Sequence, residues 1–224
     1  MRPPKACLFD LDGLLLDTES LHGKAWSITA KKFGKKLTKD QLLVLRGRRR
    51  VDCALQITKW LDKTINHKEI LFIHKPISKS LLSQSKAMPG AISLVEKCFA
   101  LQVPMALVTS SNEESLQIKT TPHPWLKLIQ TRVLGDDPSL KDGKPSPEPY
   151  LLAANKLKVN PNECWAMEDS QAGTDSALKA GCKVWVLCSK QIKNSDGDNS
   201  SLCNPTYVTH LNEILEKLEI IWKD

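Results

Sequence analysis

Residues 6–13 read Ala6-Cys7-Leu8-Phe9-Asp10-Leu11-Asp12-Gly13. The first four form an unbroken apolar run, which predicts a buried strand of a parallel sheet, because such a strand is covered on both faces. Asp10 and Asp12 follow where the strand ends, and Gly13 allows the chain to bend sharply there. Ligands of open α/β sheets bind beyond the carboxyl ends of the strands, so we expect the two carboxylates to belong to a functional site.

Similar apolar runs recur along the chain and alternate with helical patterns. The further predicted strands cover residues 104–108, 131–134, 164–167 and 183–187. Helical spacing of apolar residues predicts helices over 91–101, 147–157, 172–180 and 210–221. Alternating strands and helices indicate an α/β fold, here a Rossmann-like parallel sheet core flanked by helices.

The stretch after the first strand has a different pattern. It has no clear strand, and its spacing predicts helices over residues 21–33, 38–45, 52–61 and 68–83. We therefore expect a small all-helical cap domain at residues 18–86, inserted after the first strand. Residues 1–17 and 87–224 would form the α/β core domain.

Composition indicates a globular protein and excludes several other classes. The 224 residues are 41% hydrophobic and 25% charged, which argues against disorder, a fibre or a membrane channel. No apolar run approaches the roughly 20 residues that span a bilayer. The seven cysteines are scattered without a C-x-x-C pair, and the first residues lack a secretion signal, so we expect a cytoplasmic protein.

The charge balance gives little information about partners. Lysine and arginine total 32 against 25 acidic residues, a net charge of +7. The basic runs at 31–36 and 46–50 are not interleaved with the aromatic side chains that stack bases, so a nucleic-acid partner is not favoured. We expect no membrane partner, and a monomer or weak dimer.

Polar groups follow several of the predicted strands and share one chemistry. Acidic side chains cluster stably only around a cation or a proton, and carboxylate oxygens suit Mg²⁺ together with substrate phosphate oxygens. A lysine would neutralise an attacking carboxylate and a phosphate. These observations predict Mg²⁺-assisted phosphoryl transfer through an aspartyl-phosphate. The residues concerned are Asp10, Asp12, Thr109, Ser110, Lys144, Glu168 and Asp169.

The same residues resemble four ordered motifs of the haloacid dehalogenase (HAD) superfamily. The first lies in residues 10–19, Asp-Leu-Asp-Gly-Leu-Leu-Leu-Asp-Thr-Glu, and the second contains Thr109. The third is Lys144 within Gly-Lys-Pro-Ser-Pro-Glu, and the fourth is residues 168–173, Glu-Asp-Ser-Gln-Ala-Gly. The resemblance extends from Cys7 to about Leu187, and the helical insert is similar to the cap of the β-phosphoglucomutase-like branch.

The resemblance implies a role for each motif residue. Asp10 would be the nucleophile and Asp12 the general acid and base, and Lys144 would stabilise the charge at Asp10 and the phosphate. The Mg²⁺ ligands would be Asp10, the backbone carbonyl of Asp12, Asp169 and, directly or through a neighbour, Glu168. Thr109 and the Ser110 amide would bind the phosphoryl group. A dehalogenase of this superfamily lacks the second aspartate, so Asp12 argues against haloacid chemistry.

Three further residues match substrate-binding positions of the branch. His22 resembles a cap-side histidine of mutases and sugar phosphatases, although a lone helical histidine is more often a surface or packing residue. Arg50, or Arg46, lies where mutases place an arginine over the substrate phosphate, the alternative being a solvated arginine run. Asn112 replaces a second phosphate-binding lysine. Thr18 could support the hinge or cap the first helix of the insert.

We expect a Mg²⁺-dependent phosphatase that acts on a small phosphorylated metabolite. One alternative is a β-phosphoglucomutase-type phosphotransferase, which His22, Arg50 and Thr18 favour and the uncharged Asn112 disfavours. A second alternative is a catalytically idle binding protein of the same fold. The complete set of motif residues argues against that alternative.

Overall fold

The computed structural model describes residues 2–61, 64–188 and 204–223. The strands are β1 (Ala6–Phe9), β2 (Leu16–Asp17), β3 (Lys86–Ala87), β4 (Met105–Val108), β5 (Thr131–Val133), β6 (Cys164–Glu168), β7 (Lys183–Leu187) and β8 (Thr206–Val208). The main sheet has six parallel strands in the order β5-β4-β1-β6-β7-β8, and β2 pairs with β3 in an antiparallel ribbon.

Nine α-helices occur in the described residues. The first four lie between β2 and β3: α1 (Glu19–Lys32), α2 (Lys39–Leu45), α3 (Arg50–Trp60) and α4 (His67–Leu82). The others are α5 (Ala91–Ala100), α6 (Glu113–Thr120), α7 (Glu148–Leu157), α8 (Gln171–Lys179) and α9 (Leu211–Lys223). Short 3-10 helices cover Pro124–Leu128 and Pro161–Glu163.

Alternate residues of each strand point to opposite faces of the sheet, and a hydrophobic core covers each face. On β1, Cys7 and Phe9 join the core on one face, together with side chains of α5 and α9. Ala6 and Leu8 join the core on the other face, where Tyr150 of α7 packs. This arrangement explains why the strands are continuous apolar runs and not alternating ones.

The helices between β2 and β3, called the insert below, have a hydrophobic core of their own. Its fully buried members include Ala30, Ile57 and Ile70, one each from α1, α3 and α4. Trp26 is buried in the same cluster and lies against His74 of α4, with the ring centroids 3.6 Å apart and the ring planes tilted by 46°. The insert is thus held by its own apolar side chains.

The predicted α/β fold is confirmed. The five predicted strands are present within one residue of their predicted ends, and the predicted helices within two. The short strands β2, β3 and β8 and the helix α6 were not predicted, because none of them carries a recurrent apolar pattern. In the residues that the structure describes, no helix has both the length and the hydropathy to cross a bilayer.

Candidate active site

The site lies at the carboxyl ends of the three central strands. Phe9 of β1 pairs with Leu107 of β4 on one side and with Met167 of β6 on the other. Asp10 therefore follows β1 between the ends of its neighbours, as expected for the ligand site of an open parallel sheet. The chain passes close to β6 at Gly13, where an added Cβ would lie 2.0 Å from Asp169 Oδ2 and where φ is +90°. A side chain at position 13 would thus obstruct the site.

Asp10, Lys144 and Glu168 form a buried ionic cluster. Lys144 Nζ donates to Asp10 Oδ1 at 2.6 Å, to Glu168 Oε1 at 2.5 Å and to the Val108 carbonyl at 2.9 Å. Tyr150 donates its hydroxyl to the same Glu168 oxygen at 2.5 Å. The lysine is thus directed at the candidate nucleophile by three acceptors, and its position is set by β4 and β6.

Burial and charge shift the titration of this cluster. Burial raises the pKa of Asp10 well above its ordinary value, with Glu168 and Asp169 adding to the rise and Lys144 opposing it. Although burial alone would lower it, the pKa of Lys144 is raised by Asp10 and Glu168. The lysine therefore carries its charge at neutral pH, and the surplus of carboxylates favours a further cation.

Three carboxylates are close enough to share a metal ion. One oxygen each of Asp10, Glu168 and Asp169 lies within 4.8 Å of the others. Burial raises the pKa of Asp169 to about 8, Glu19 adds to the rise, and Arg46 opposes it. A set of carboxylate oxygens with unbalanced negative charge fits a hard divalent cation such as Mg²⁺.

Arg46 contacts this acidic group from the insert. Its guanidinium donates to Asp169 Oδ2 and lies 2.8 Å from Glu19 Oε2. Burial raises the pKa of Glu19 to about 7, against the lowering effect of Arg46. Arg46 therefore supplies positive charge at the carboxylates that would bind a cation.

Asp12 lies outside this group of three carboxylates and is held by four donors. Its Oδ1 accepts from the Thr18 hydroxyl at 2.6 Å and lies 3.1 Å from His22 Nε2. Its Oδ2 accepts from the Ser111 hydroxyl at 2.9 Å and from Lys119 Nζ. Burial would raise the pKa of Asp12, but Lys119 and His22 hold it well below its ordinary value.

The residues predicted to bind phosphate fall into two groups. Thr109 is buried at the end of β4, and its hydroxyl accepts from the Ser111 amide at 3.1 Å. The Ser110 hydroxyl donates to the Gly47 carbonyl of the insert at 2.8 Å. Asn112 instead caps α6, where its side chain accepts from the Ser115 amide at 3.1 Å.

The insert residues predicted to contact substrate reach side chains outside the insert. His22 faces Asp12, and Arg50 donates to the Ser115 hydroxyl and, at 3.5 Å, to Asn112 Oδ1. Thr18 occupies the N-cap position of α1 without a side-chain capping bond, because its hydroxyl goes to Asp12. The prediction that Thr18 caps the first helix of the insert is therefore right about its position at the helix start. It is wrong about the hydrogen bond, because the Thr18 side chain does not bond to the helix backbone.

Sequence reasoning missed Lys119 and Tyr150. Ser115 and Lys119 are four residues apart on α6 and share one face of that helix. This spacing was the one feature of the sequence that could have indicated a buried polar face there. Tyr150 sits in an apolar helical pattern that predicted only core packing. Both are fully buried and both bond to a site carboxylate.

A cavity of about 540 Å³ lies between the insert and the sheet. Asp10 and Asp12 line it from the sheet, while Trp26 and Leu42 are among the apolar side chains that line it from the insert. Further lining residues carry positive charge: Lys24, Lys39, Arg46, Arg48 and Arg50. The cavity therefore offers both apolar contacts and cations next to the two aspartates.

The chain is similar in sequence to several known proteins. A family model described as haloacid dehalogenase-like hydrolase matches residues 7–187. A (DL)-glycerol-3-phosphatase 2 of Arabidopsis thaliana is 28% identical, over 85% of this chain and 82% of its own. A phosphorylated carbohydrates phosphatase of Thermotoga maritima is 29% identical, over 79% of this chain and 82% of its own.

A solved structure shares almost the whole architecture. The crystal structure of a HAD hydrolase, family IA, variant 3, from Entamoeba histolytica superposes with a TM-score of 0.78 at 28% identity. The match covers 99% of this chain and 100% of the other. It includes the insert as well as the sheet.

Proposed function

Because this chain belongs to the haloacid dehalogenase-like hydrolases, we propose that it is a Mg²⁺-dependent phosphatase that works through an aspartyl-phosphate at Asp10. Its relatives named above are phosphatases of glycerol 3-phosphate and of phosphorylated carbohydrates. Its substrate would be a small phosphomonoester, such as a sugar phosphate. The observation that carries the proposal is the buried Asp10–Lys144 pair beside Asp12 at the end of β1.

The first half of the reaction transfers the phosphoryl group to the protein. An Asp10 carboxylate oxygen attacks phosphorus, and the bond between phosphorus and the leaving oxygen breaks. Asp12 gives a proton to that oxygen, so that an alcohol departs. Lys144 offsets the charge that gathers on Asp10 and the phosphoryl oxygens. The substrate dianion beside Asp12 favours the protonated form that this step needs.

The second half releases phosphate. Asp12, now ionised, removes a proton from a water molecule, which attacks phosphorus and breaks its bond to Asp10. The four donors around Asp12 favour the ionised form. Thr109 and the Ser110 amide hold the phosphoryl oxygens during both steps.

Mg²⁺ would be held by Asp10, Asp169, the Asp12 backbone carbonyl and Glu168. When bound, it supplies positive charge to the phosphoryl oxygens and lowers repulsion with the nucleophile. Glu168 also accepts from Lys144 and Tyr150, so it would either bind the metal or orient its neighbours.

The insert would act as a cap domain of residues 18–86 over a core domain of residues 1–17 and 87–224. Its separate hydrophobic core supports this division. Ser110 bonds to Gly47, and Arg50 to Ser115, across the cavity. Closure of the cap would exclude bulk water from Asp10 and select the leaving group. We also place the protein in the cytoplasm, as a monomer or weak dimer.

The test is phosphate release with Mg²⁺ from a panel of phosphomonoesters, for the wild type and for Asp10→Asn. We expect activity on one substrate class and at least a thousandfold loss in the variant, since the attacking oxygen is replaced. Asp40→Asn, an exposed residue of α2, is the matched control and should keep full activity. Acid-quenched wild type should carry one labile phosphoryl group. Full activity of Asp10→Asn would overturn the proposal.

A mutase is the second candidate, and the position of His22 and Arg50 favours it. Such an enzyme would need a sugar bisphosphate for turnover and would release little free phosphate. Asn112 argues against it, because its side chain caps α6 and carries no charge. Phosphate release without added bisphosphate identifies the phosphatase.

A further inference from the structure

Lys119 is a buried cation to which the proposed steps assign no separate role beyond its bond to Asp12. It lies near the end of α6, and its side chain is 0% exposed. Its Nζ donates to Asp12 Oδ2, from a position 107 residues away in the sequence, and to the Ser111 hydroxyl at 2.6 Å. The two bonds direct the ammonium at one oxygen of the candidate general acid and base.

Packing alone does not explain a lysine at this position. Moving an ammonium out of water costs several kcal/mol, and an ion pair with an ideal partner often only balances that cost. An apolar side chain of the same length would fill the space without that cost if no carboxylate there needed a counter-ion. The retained charge therefore points to a role at Asp12.

The donors to Asp12 divide by their place in the fold. Thr18 and His22, which hold Oδ1, belong to the start of the insert. Ser111 and Lys119, which hold Oδ2, belong to the sheet side. Of the four donors, Lys119 carries a full charge and is held in place by α6. It can therefore hold Asp12 when the contacts from the insert change.

We propose that Lys119 is a positioning residue for Asp12. It fixes the carboxylate in the orientation from which Asp12 gives its proton to the leaving oxygen, and it does not itself contact substrate. This inference rests on the proposed phosphatase function. Within the described part of the chain, the Oδ2 side of Asp12 would keep only the neutral Ser111 hydroxyl without Lys119, so the carboxylate can turn away.

The test uses two esters that differ in their need for a proton. Glycerol 3-phosphate, or the best alkyl substrate of the panel, releases an alkoxide that must be protonated. p-Nitrophenyl phosphate releases a phenolate that leaves without a proton. We would measure kcat/KM of Lys119→Met on both, because kcat/KM covers only the steps up to departure of the leaving group.

We expect Lys119→Met to lose about a hundredfold in kcat/KM on the alkyl ester, the scale of general-acid catalysis, and under about threefold on p-nitrophenyl phosphate. Asp12→Asn should show the same contrast. Since Asp12 also serves the release of phosphate, Lys119→Met should show a burst of p-nitrophenol as the phosphoryl-protein accumulates. Lys156→Met, which removes an exposed lysine paired with Asp137, is the matched control and should change neither ester.

Equal losses on the two esters would show a general structural role and overturn the inference, as would no loss on either. Thermal melting checks the fold, and if Lys119→Met does not fold, Lys119→Gln is judged by the same contrast. The proposed function is tested separately by Asp10→Asn in the wild-type background. A wild type inactive on every ester would overturn both.

Discussion

His74 of α4 is buried against the ring of Trp26, and neither of its ring nitrogens has a hydrogen-bond partner among the residues that the structure describes. Burial lowers its pKa to about 3, and the charges of Arg50 and His22 add to the fall. Below pH 6.5 the unfolded chain therefore takes up a proton that the folded chain refuses, so stability is lost as the pH falls. From pH 7 to 5 the loss is about 2 kcal/mol.

Urea unfolding of the wild type and of His74→Leu at pH 7 and pH 5 measures this effect. The variant should lose about 2 kcal/mol less than the wild type over that interval, because it lacks the titrating ring. His210→Gln changes an exposed histidine and should follow the wild type. Equal losses in wild type and His74→Leu would contradict the assigned cause.

Single residues of the site differ in how far the sequence reveals them. Asp10 and Glu168 could be predicted because each stands at or directly after an apolar strand, and parallel strands bring such positions together. The partners of these acids lie elsewhere in the chain. Arg46 meets Asp169 across 123 residues, and only the packing of the insert on the sheet brings them together.

The start of α8 is packed directly against the buried end of β6. A Cβ on Gly173 would lie 2.0 Å from Glu168 Cδ and 2.1 Å from each of its oxygens. Glu168 cannot yield, because Lys144 and Tyr150 hold it in place. We expect Gly173→Ala to lower the free energy of unfolding by about 2–3 kcal/mol, as in overpacked cores, and to weaken Mg²⁺ binding.

Gly23→Ala makes the same substitution inside α1, where the nearest atom would be 4.0 Å away. It should stabilise the protein by up to about 1 kcal/mol, since alanine is the better helix former. Thermal and urea unfolding of the two variants measure the contrast. A Gly173→Ala protein as stable as the wild type would show that α8 can shift away from Glu168.

Elements were predictable where their apolar period was long. Three helices of the insert, α1, α3 and α4, each bury three or four residues at helical spacing, and this spacing located them. The strand β8 pairs only three residues with β7 and depends on that partner for its structure. It forms a strand because it pairs with the edge of the sheet, and the local sequence carries no sign of that pairing.

The insert and the sheet meet at the site itself. Arg46 bonds to Asp169, Ser110 to Gly47, and Arg50 to Ser115, so groups of one part complete the polar surface of the other. The α/β fold could be predicted from the sequence, but these contacts could not. The two residues of each contact lie far apart in the chain. Several basic residues and several polar residues at strand ends could have paired, and the sequence does not indicate which of them do.

Arg46 and Mg²⁺ would compete for the same carboxylate. The guanidinium already donates to Asp169, one of the three carboxylates grouped within 4.8 Å. We expect Mg²⁺ to raise the melting temperature of the wild type, because a ligand of the folded state stabilises it. Arg46→Ala should bind Mg²⁺ about threefold to fivefold more tightly, the scale of a partly exposed ion pair. Calorimetric titration of the chelator-treated protein measures the dissociation constants.

Two variants separate competition from a general loss of charge. Arg48→Ala removes an arginine of the same loop that forms no ion pair in the described residues, so it should leave Mg²⁺ affinity near that of the wild type. Asp169→Asn should abolish the Mg²⁺-dependent rise in melting temperature, because the cation loses a charged ligand. Weaker Mg²⁺ binding in Arg46→Ala would mean that Arg46 orders Asp169 for the metal and does not compete with it. The insert would then prepare the metal site by closing over it, and cap closure would precede Mg²⁺ binding.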